Sequence, residues 1–182
     1  MRKRGGRALA LLLALYTAGA GAVDSVSLMA GSASKGDDAN IWQVGLQWNW
    51  QKKWFTEGDW FVGGYWDATL GVLKGDSPAG GNNELANIGI TPVFRLQQKS
   101  PSAVAPFFEA GLGLHFFSEK RIHAAKTFGS TYEFGSHVGI GVRFGPKHRF
   151  ELGYRFRHFS NAGIKKPNPG INFNEFRLQY HF

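Results

Sequence analysis

The sequence predicts an all-β chain: an eight-stranded antiparallel transmembrane β-barrel of the outer-membrane type. Three observations predict it. Segment after segment alternates large apolar residues with polar residues or glycine at period two. Aromatic residues make up 15% of the chain and glycines number 25, yet no run beyond residue 22 is long and apolar enough for a membrane helix. The chain also begins with what reads as an export signal. Membrane barrels have this profile because each strand carries a weak alternating signal instead of one apolar block.

The export signal is residues 1–22, MRKRGGRALALLLALYTAGAGA. It has a basic start (Arg2, Lys3, Arg4, Arg7), a short apolar run and a small-residue ending, with cleavage expected after Ala22. The apolar run is too short to serve comfortably as an anchor. Removing these four cations takes the formal charge from +8 to +4, so residues 23–182 are only mildly basic and a nucleic-acid partner is not expected. With no cysteine, there is no disulfide framework, thiolate metal site or thiol nucleophile.

Within 23–182, read as one barrel domain, the strands follow in order. DSVSLMAGSA, 24–33, is the weakest. IWQVGLQWNW (41–50) and WFVGGYWDATLGV (60–72) place Trp42, Val44, Leu46 and Trp48, then Trp60, Val62, Trp66 and Leu70, on one face. NIGITPVFRL (87–96), FFEAGLGLHF (107–116) and SHVGIGVRF (136–144) continue the pattern, as do RFELGYRF (149–156) and FRLQYHF (176–182). In every strand the apolar face falls on even numbers. The odd face carries glycines with Asp67, Arg95, Glu109, Arg143, Glu151, Arg155, Arg157, Glu175 and Arg177. A soluble barrel would turn its apolar face inward. Here the charges suit a narrow, side-chain-filled lumen and the apolar face suits lipid, with closure removing unpaired edges.

With both termini periplasmic, the connections near 35–40, 75–83, 119–128 and 161–171 lie outside, and those near 51–58, 98–103 and 145–148 lie in the periplasm. GPKH, 145–148, fits a tight turn, and the aromatic Phe182 after an alternating strand resembles a barrel-assembly signal. The tryptophans read as lipid-facing or interfacial anchors. His115, His137 and His181 read as lumen fillers, and no metal-ligand cluster is seen.

The seventh strand breaks the pattern at its outer end. His158 and Ser160 occupy apolar-face positions. Residues i and i+2 share a face about 6.6 Å apart along a strand, and an adjacent base activates a serine hydroxyl. On residue chemistry alone, polar rim residues are the plainer reading, since an H-x-S pattern often arises by chance. The following loop, NAGIKKPNPGINF, weighs against it. Gly163 and Gly170 admit unusual φ, Pro167 and Pro169 restrict it, and an ordered loop after a serine offers N–H groups to an oxyanion.

HFSNAGIKKPNPGINF, from His158 to Phe173, resembles the signature of the lipid A 3-O-deacylases, the PagL family of outer-membrane esterases. WDATLGV and PFFEAGLGLHFFS resemble the family as well. The resemblance implies hydrolysis of the ester-linked 3-hydroxyacyl chain at position 3 of lipid A, without metal or cofactor. Lipopolysaccharide would be the substrate and the outer membrane the location; homodimerisation stays open. It implies His158 as general base and Ser160 as nucleophile. Asn161 with the backbone near Ala162 and Gly163 would contribute to the oxyanion site, and Asn168 would position that loop. One position departs: where the family has a glutamate twelve residues after the serine, this chain has Asn172. Glu175 is near but has lumen parity, whereas Asn172 shares the parity of His158 and Ser160, so Asn172 is expected in the third role. Two alternatives stay open: a non-enzymatic small barrel serving adhesion or envelope structure, and a lipid A acyltransferase. The basic residues Lys120, Arg121, His123 and Lys126, with Lys165 and Lys166, read either as attraction for lipid A phosphates or as ordinary solvated charges.

Overall fold

The computed structural model describes residues 22–34, 37–75, 83–100, 102–123 and 125–182. The expected export signal lies outside them, apart from Ala22. The strands are β1 (Ser25–Ala33), β2 (Ala39–Asn49), β3 (Trp60–Gly75), β4 (Asn83–Gln98), β5 (Val104–Phe117), β6 (Arg121–His123), β7 (Lys126–Thr127), β8 (Tyr132–Phe144), β9 (Phe150–Ser160) and β10 (Ile171–His181). Among the described residues, eight strands close a barrel in the order β1-β10-β9-β8-β5-β4-β3-β2, every pair antiparallel. No helix among them is long and apolar enough to cross a membrane.

Alternation sets the two faces. Leu28, Leu70, Ile88, Ile90, Phe108, Leu112, Val138, Ile140, Leu152, Phe176 and Leu178 are all at least 42% exposed and belong to one outward belt. A contiguous apolar surface of this extent is costly in water and suits hydrocarbon. At the end near Asp24 and Phe182, Trp50 packs edge to face on Trp54, Trp66 and Phe94, with Phe150, Tyr180 and Phe182 forming a second aromatic group. Amphipathic rings at this level mark a membrane interface.

The lumen is zoned along its length. Its middle holds Arg95, Arg155 and Arg177 against Asp67, Glu109 and Glu151. The Tyr65 hydroxyl donates to Glu109 at 2.7 Å and lies 2.9–3.1 Å from a nitrogen of all three guanidiniums. Three cations face three anions, which is the condition for burying charges at tolerable cost. Toward the far end the inward positions turn apolar: Ile41, Leu73, Leu85, Phe117, Phe159, Ile171 and Phe173 form a plug. Ile122 and Phe128 complete it from the β6–β7 hairpin. That hairpin falls where the sequence predicts only a basic connection over 119–128. Its two inward residues are too few to make a periodic signal, and the packing becomes visible only when the lumen does.

Strands also outrun the predicted alternation. β4, β8 and β10 begin at Asn83, Tyr132 and Ile171, against predicted starts of 87, 136 and 176. Beyond the hydrocarbon a strand keeps its hydrogen bonds but no longer needs an apolar outer face, so period two fades before the ladder ends. GPKH forms the expected tight turn, with Gly145, Lys147 and His148 at φ of 76°, 53° and 53°.

Candidate active site

His158 and Ser160 lie on the outer face of β9, at the end of the barrel away from the termini. Between them Phe159 points inward and is fully buried, edge-on to His115, Phe117 and Phe173. The apolar plug thus anchors the strand, and period two turns its two polar neighbours outward. Phe173 does the same for β10, leaving Asn172 and Asn174 outside.

The register then brings the partners together. In the ladder His158 pairs with Asn172 on one side and with Ser136 on the other, while Ser160 pairs with Phe134. The imidazole Nδ1 lies 2.7 Å from Asn172 Oδ1. With Nδ1–H donating to that oxygen, Nε2 carries the lone pair, the tautomer a general base needs. The hydroxyl of Ser160, the next residue on the same face, has no hydrogen-bond partner among the described residues. Glu175 is buried in the lumen with Arg157 Nε 3.0 Å from its carboxylate, on the opposite side of the sheet from His158.

The loop after Ser160 is wound by Asn161, which is fully buried. Its Nδ2 donates to the Lys165 carbonyl at 3.0 Å and to Ser130 Oγ at 3.2 Å, and its carbonyl accepts from Ile164 N–H at 3.1 Å. Its own N–H donates to Asn168 Oδ1 at 3.0 Å. The Asn161 amide and N–H are therefore both committed to the loop. The next two residues, Ala162 and Gly163, take φ of 54° and 78° and are exposed. Successive residues of positive φ aim their N–H groups away from the usual ladder, and these two have no partner among the described residues.

An apolar groove of about 500 Å³ lies on the outer wall, lined by Phe94, Leu96, Phe108, Val138, Ile140 and Phe156. Phe156 is two residues below His158 on the same outer face. Tyr154, whose hydroxyl donates to Asn174 Oδ1 at 2.6 Å and whose ring meets Phe176, stands at the groove's edge. Among the described residues no group of three His, Cys, Asp or Glu is placed to hold a metal ion.

Of the basic residues in the outer connections, Lys120, Arg121, Lys165 and Lys166 are exposed. Lys126 and His123 are only partly or barely exposed and both lie beside Asp37. Lys126 is paired with Asp37, and His123 Nε2 lies 3.7 Å from the same carboxylate. Sequence reasoning missed Gly170 and Lys126 as neighbours of the site, and Ser130 and Gly129 as the floor of its loop. The motif itself contains Gly170, but nothing in it points to the residues of the other loop.

Residues 41–181 match the family model described as Lipid A 3-O-deacylase (PagL). The chain is 31% identical over 163 residues to Lipid A deacylase PagL of Pseudomonas aeruginosa, covering 90% of each chain. It is 43% identical over 76 residues to Lipid A deacylase PagL of Bordetella bronchiseptica, covering 42% of this chain and 41% of that one. The crystal structure of the outer membrane enzyme PagL superposes with a TM-score of 0.74 at 29% identity, over 87% of this chain and 99% of that one. The outward apolar belt, the barrel order and these matches agree: the chain is an outer-membrane β-barrel of the lipid A 3-O-deacylase (PagL) family.

Proposed function

We propose that this chain hydrolyses the ester-linked 3-hydroxyacyl chain at position 3 of lipid A, with Ser160 as nucleophile and His158 as general base. The observation that carries the proposal is the outward-facing His158–Asn172 hydrogen bond with Ser160 next on the same face. The site lies at the opposite end of the barrel from Asp24 and Phe182, which supports an outer-leaflet position if that end faces the periplasm. Substrate then arrives sideways, from lipid, and its acyl chain lies in the groove below Phe156.

In this mechanism Nε2 of His158 removes the hydroxyl proton as Ser160 Oγ attacks the ester carbonyl. The developing oxyanion lies on the N–H groups of Ala162 and Gly163, and Asn161 with Asn168 holds their loop in shape. Collapse breaks the bond to the sugar oxygen, which leaves with the proton carried by the imidazolium. Water, deprotonated by the same imidazole, then attacks the acyl-enzyme; the bond from the acyl carbon to Ser160 Oγ breaks, Oγ takes the proton back from the imidazolium, and the 3-hydroxy fatty acid leaves. Asn172 holds the ring and its tautomer throughout, in the role the family's glutamate fills. All these groups come from one chain, so one copy is sufficient. The exposed Lys120, Arg121, Lys165 and Lys166 offer positive charge to the phosphates of lipid A.

Mass spectrometry of lipid A from cells expressing the wild type or Ser160→Ala tests the reading. Loss of one 3-hydroxyacyl chain with the wild type alone supports it. Unchanged lipid A with a folded wild-type barrel sinks it, and appearance of the acyl chain on a phospholipid or another acceptor replaces hydrolysis by transfer.

A further inference from the structure

The His158 imidazole lies close against the backbone at Gly170. Gly170, the last residue before β10, has φ 61°, and a Cβ built there would lie 2.7 Å from Cε1 and 3.3 Å from Nε2 of His158. Any side chain at this position both strains the backbone and pushes the ring from its seat. The glycine is itself held from outside its own loop. Its carbonyl accepts a 2.8 Å hydrogen bond from Lys126 Nζ, on β7. The same ammonium lies 2.6 Å and 2.7 Å from the two carboxylate oxygens of Asp37, between β1 and β2. Both side chains are less than a fifth exposed, so the ion pair is shielded from much of the screening that weakens surface pairs. Close by, Gly129 packs on the carbonyls of Lys165 and Pro167, and Ser130 accepts from Asn161. Three outer connections therefore meet at the carbonyl of the residue that backs the imidazole.

We propose that Gly170, and Lys126 held by Asp37, are positioning residues for His158. They act by keeping Nε2 aimed at Ser160, so they set the chemical step and leave substrate binding unchanged. The inference rests on the His158–Ser160 reading above. It also separates Lys126 from the exposed lysines, because its charge is spent on Asp37 and a carbonyl rather than offered to a phosphate. Lysine supplies a compact point donor here, and arginine can reach the same two acceptors with a broader fork.

The test uses the full-length barrel, refolded in detergent, as wild type, Lys126→Met, Lys126→Arg, Gly170→Ala and Ser160→Ala. Heat-modifiable mobility scores folding. Two rates are measured: lipid A deacylation as kcat and KM, and covalent labelling by a fluorophosphonate probe, which reports serine activation independently of lipid binding. Lys126→Met and Gly170→Ala are expected to lower kcat and labelling about 10- to 100-fold, with KM within about twofold, because a misplaced base costs the chemical step. Lys126→Arg is expected to recover most of the loss. Wild-type labelling in Lys126→Met, or a loss confined to KM, overturns the proposal. If Gly170→Ala does not fold, Lys126→Met decides alone. If Ser160→Ala labels and turns over like wild type, the nucleophile itself is misassigned. If Ser160→Ala is inert while Lys126→Met is unimpaired, only the positioning role fails.

Discussion

Nδ1 of His158 lies 2.7 Å from Oδ1 of Asn172, across the β9–β10 ladder in which the two residues are direct partners. A neutral amide here orients the ring and selects its tautomer but does not stabilise the imidazolium as a carboxylate would. Charge-assisted hydrogen bonds are roughly twice as strong as neutral ones. Asn172→Ala is expected to lower kcat about 10- to 100-fold, and Asn172→Glu to raise it above wild type by about three- to tenfold. Glu175→Gln, on the lumen side, should leave the specific rate of the folded protein near wild type. Steady-state deacylation of lipid A in detergent checks all three, and a full-rate Asn172→Ala removes Asn172 from the mechanism.

Asn168 acts one bond from the proposed oxyanion site, accepting from the Asn161 N–H at 3.0 Å. Asn168→Ala frees that N–H and loosens the loop behind Ala162 and Gly163. The expected result is a fall in kcat of about tenfold or more with heat-modifiability retained, in the range seen when an oxyanion donor is disturbed. An unchanged kcat would mean the loop keeps its shape without this bond.

Arg155 contacts Glu109 at 2.7 Å, Asp67 at 2.9 Å and the Tyr65 hydroxyl at 2.9 Å. Replacing it with leucine leaves buried carboxylates short of one cation. Arg155→Leu is expected to cost about 3–5 kcal/mol, the usual penalty for breaking a buried pair from one side. Urea titration followed by loss of the folded gel band measures it. A wild-type midpoint would show that the remaining arginines rebalance the lumen.

Ile90 faces outward between Ala68 and Leu114 in the ladder. Ile90→Arg is expected to destabilise the membrane-inserted barrel by about 2–4 kcal/mol, as for a cation placed at mid-bilayer depth on a lipid-facing strand. Folding into vesicles of increasing urea content gives the difference. Insertion as efficient as wild type would mean that this face is not in hydrocarbon.

The sequence by itself determined the eight strands of the barrel wall, the sense of their two faces and the placing of His158, Ser160 and Asn172 on one of those faces. A period of two is a local property: once lipid claims the apolar set, every other residue's side of the wall follows, and parity alone puts Glu175 inside with Arg157. Only the tertiary structure decided which residues meet across distance. Tyr65 among three guanidiniums, the β6–β7 hairpin closing the apolar plug, and Asp37, Lys126 and Gly170 joined behind the imidazole all depend on closure of the barrel. Their partners come from loops and strands far apart in the chain, and no local spacing encodes how a closed wall brings those segments to the same point.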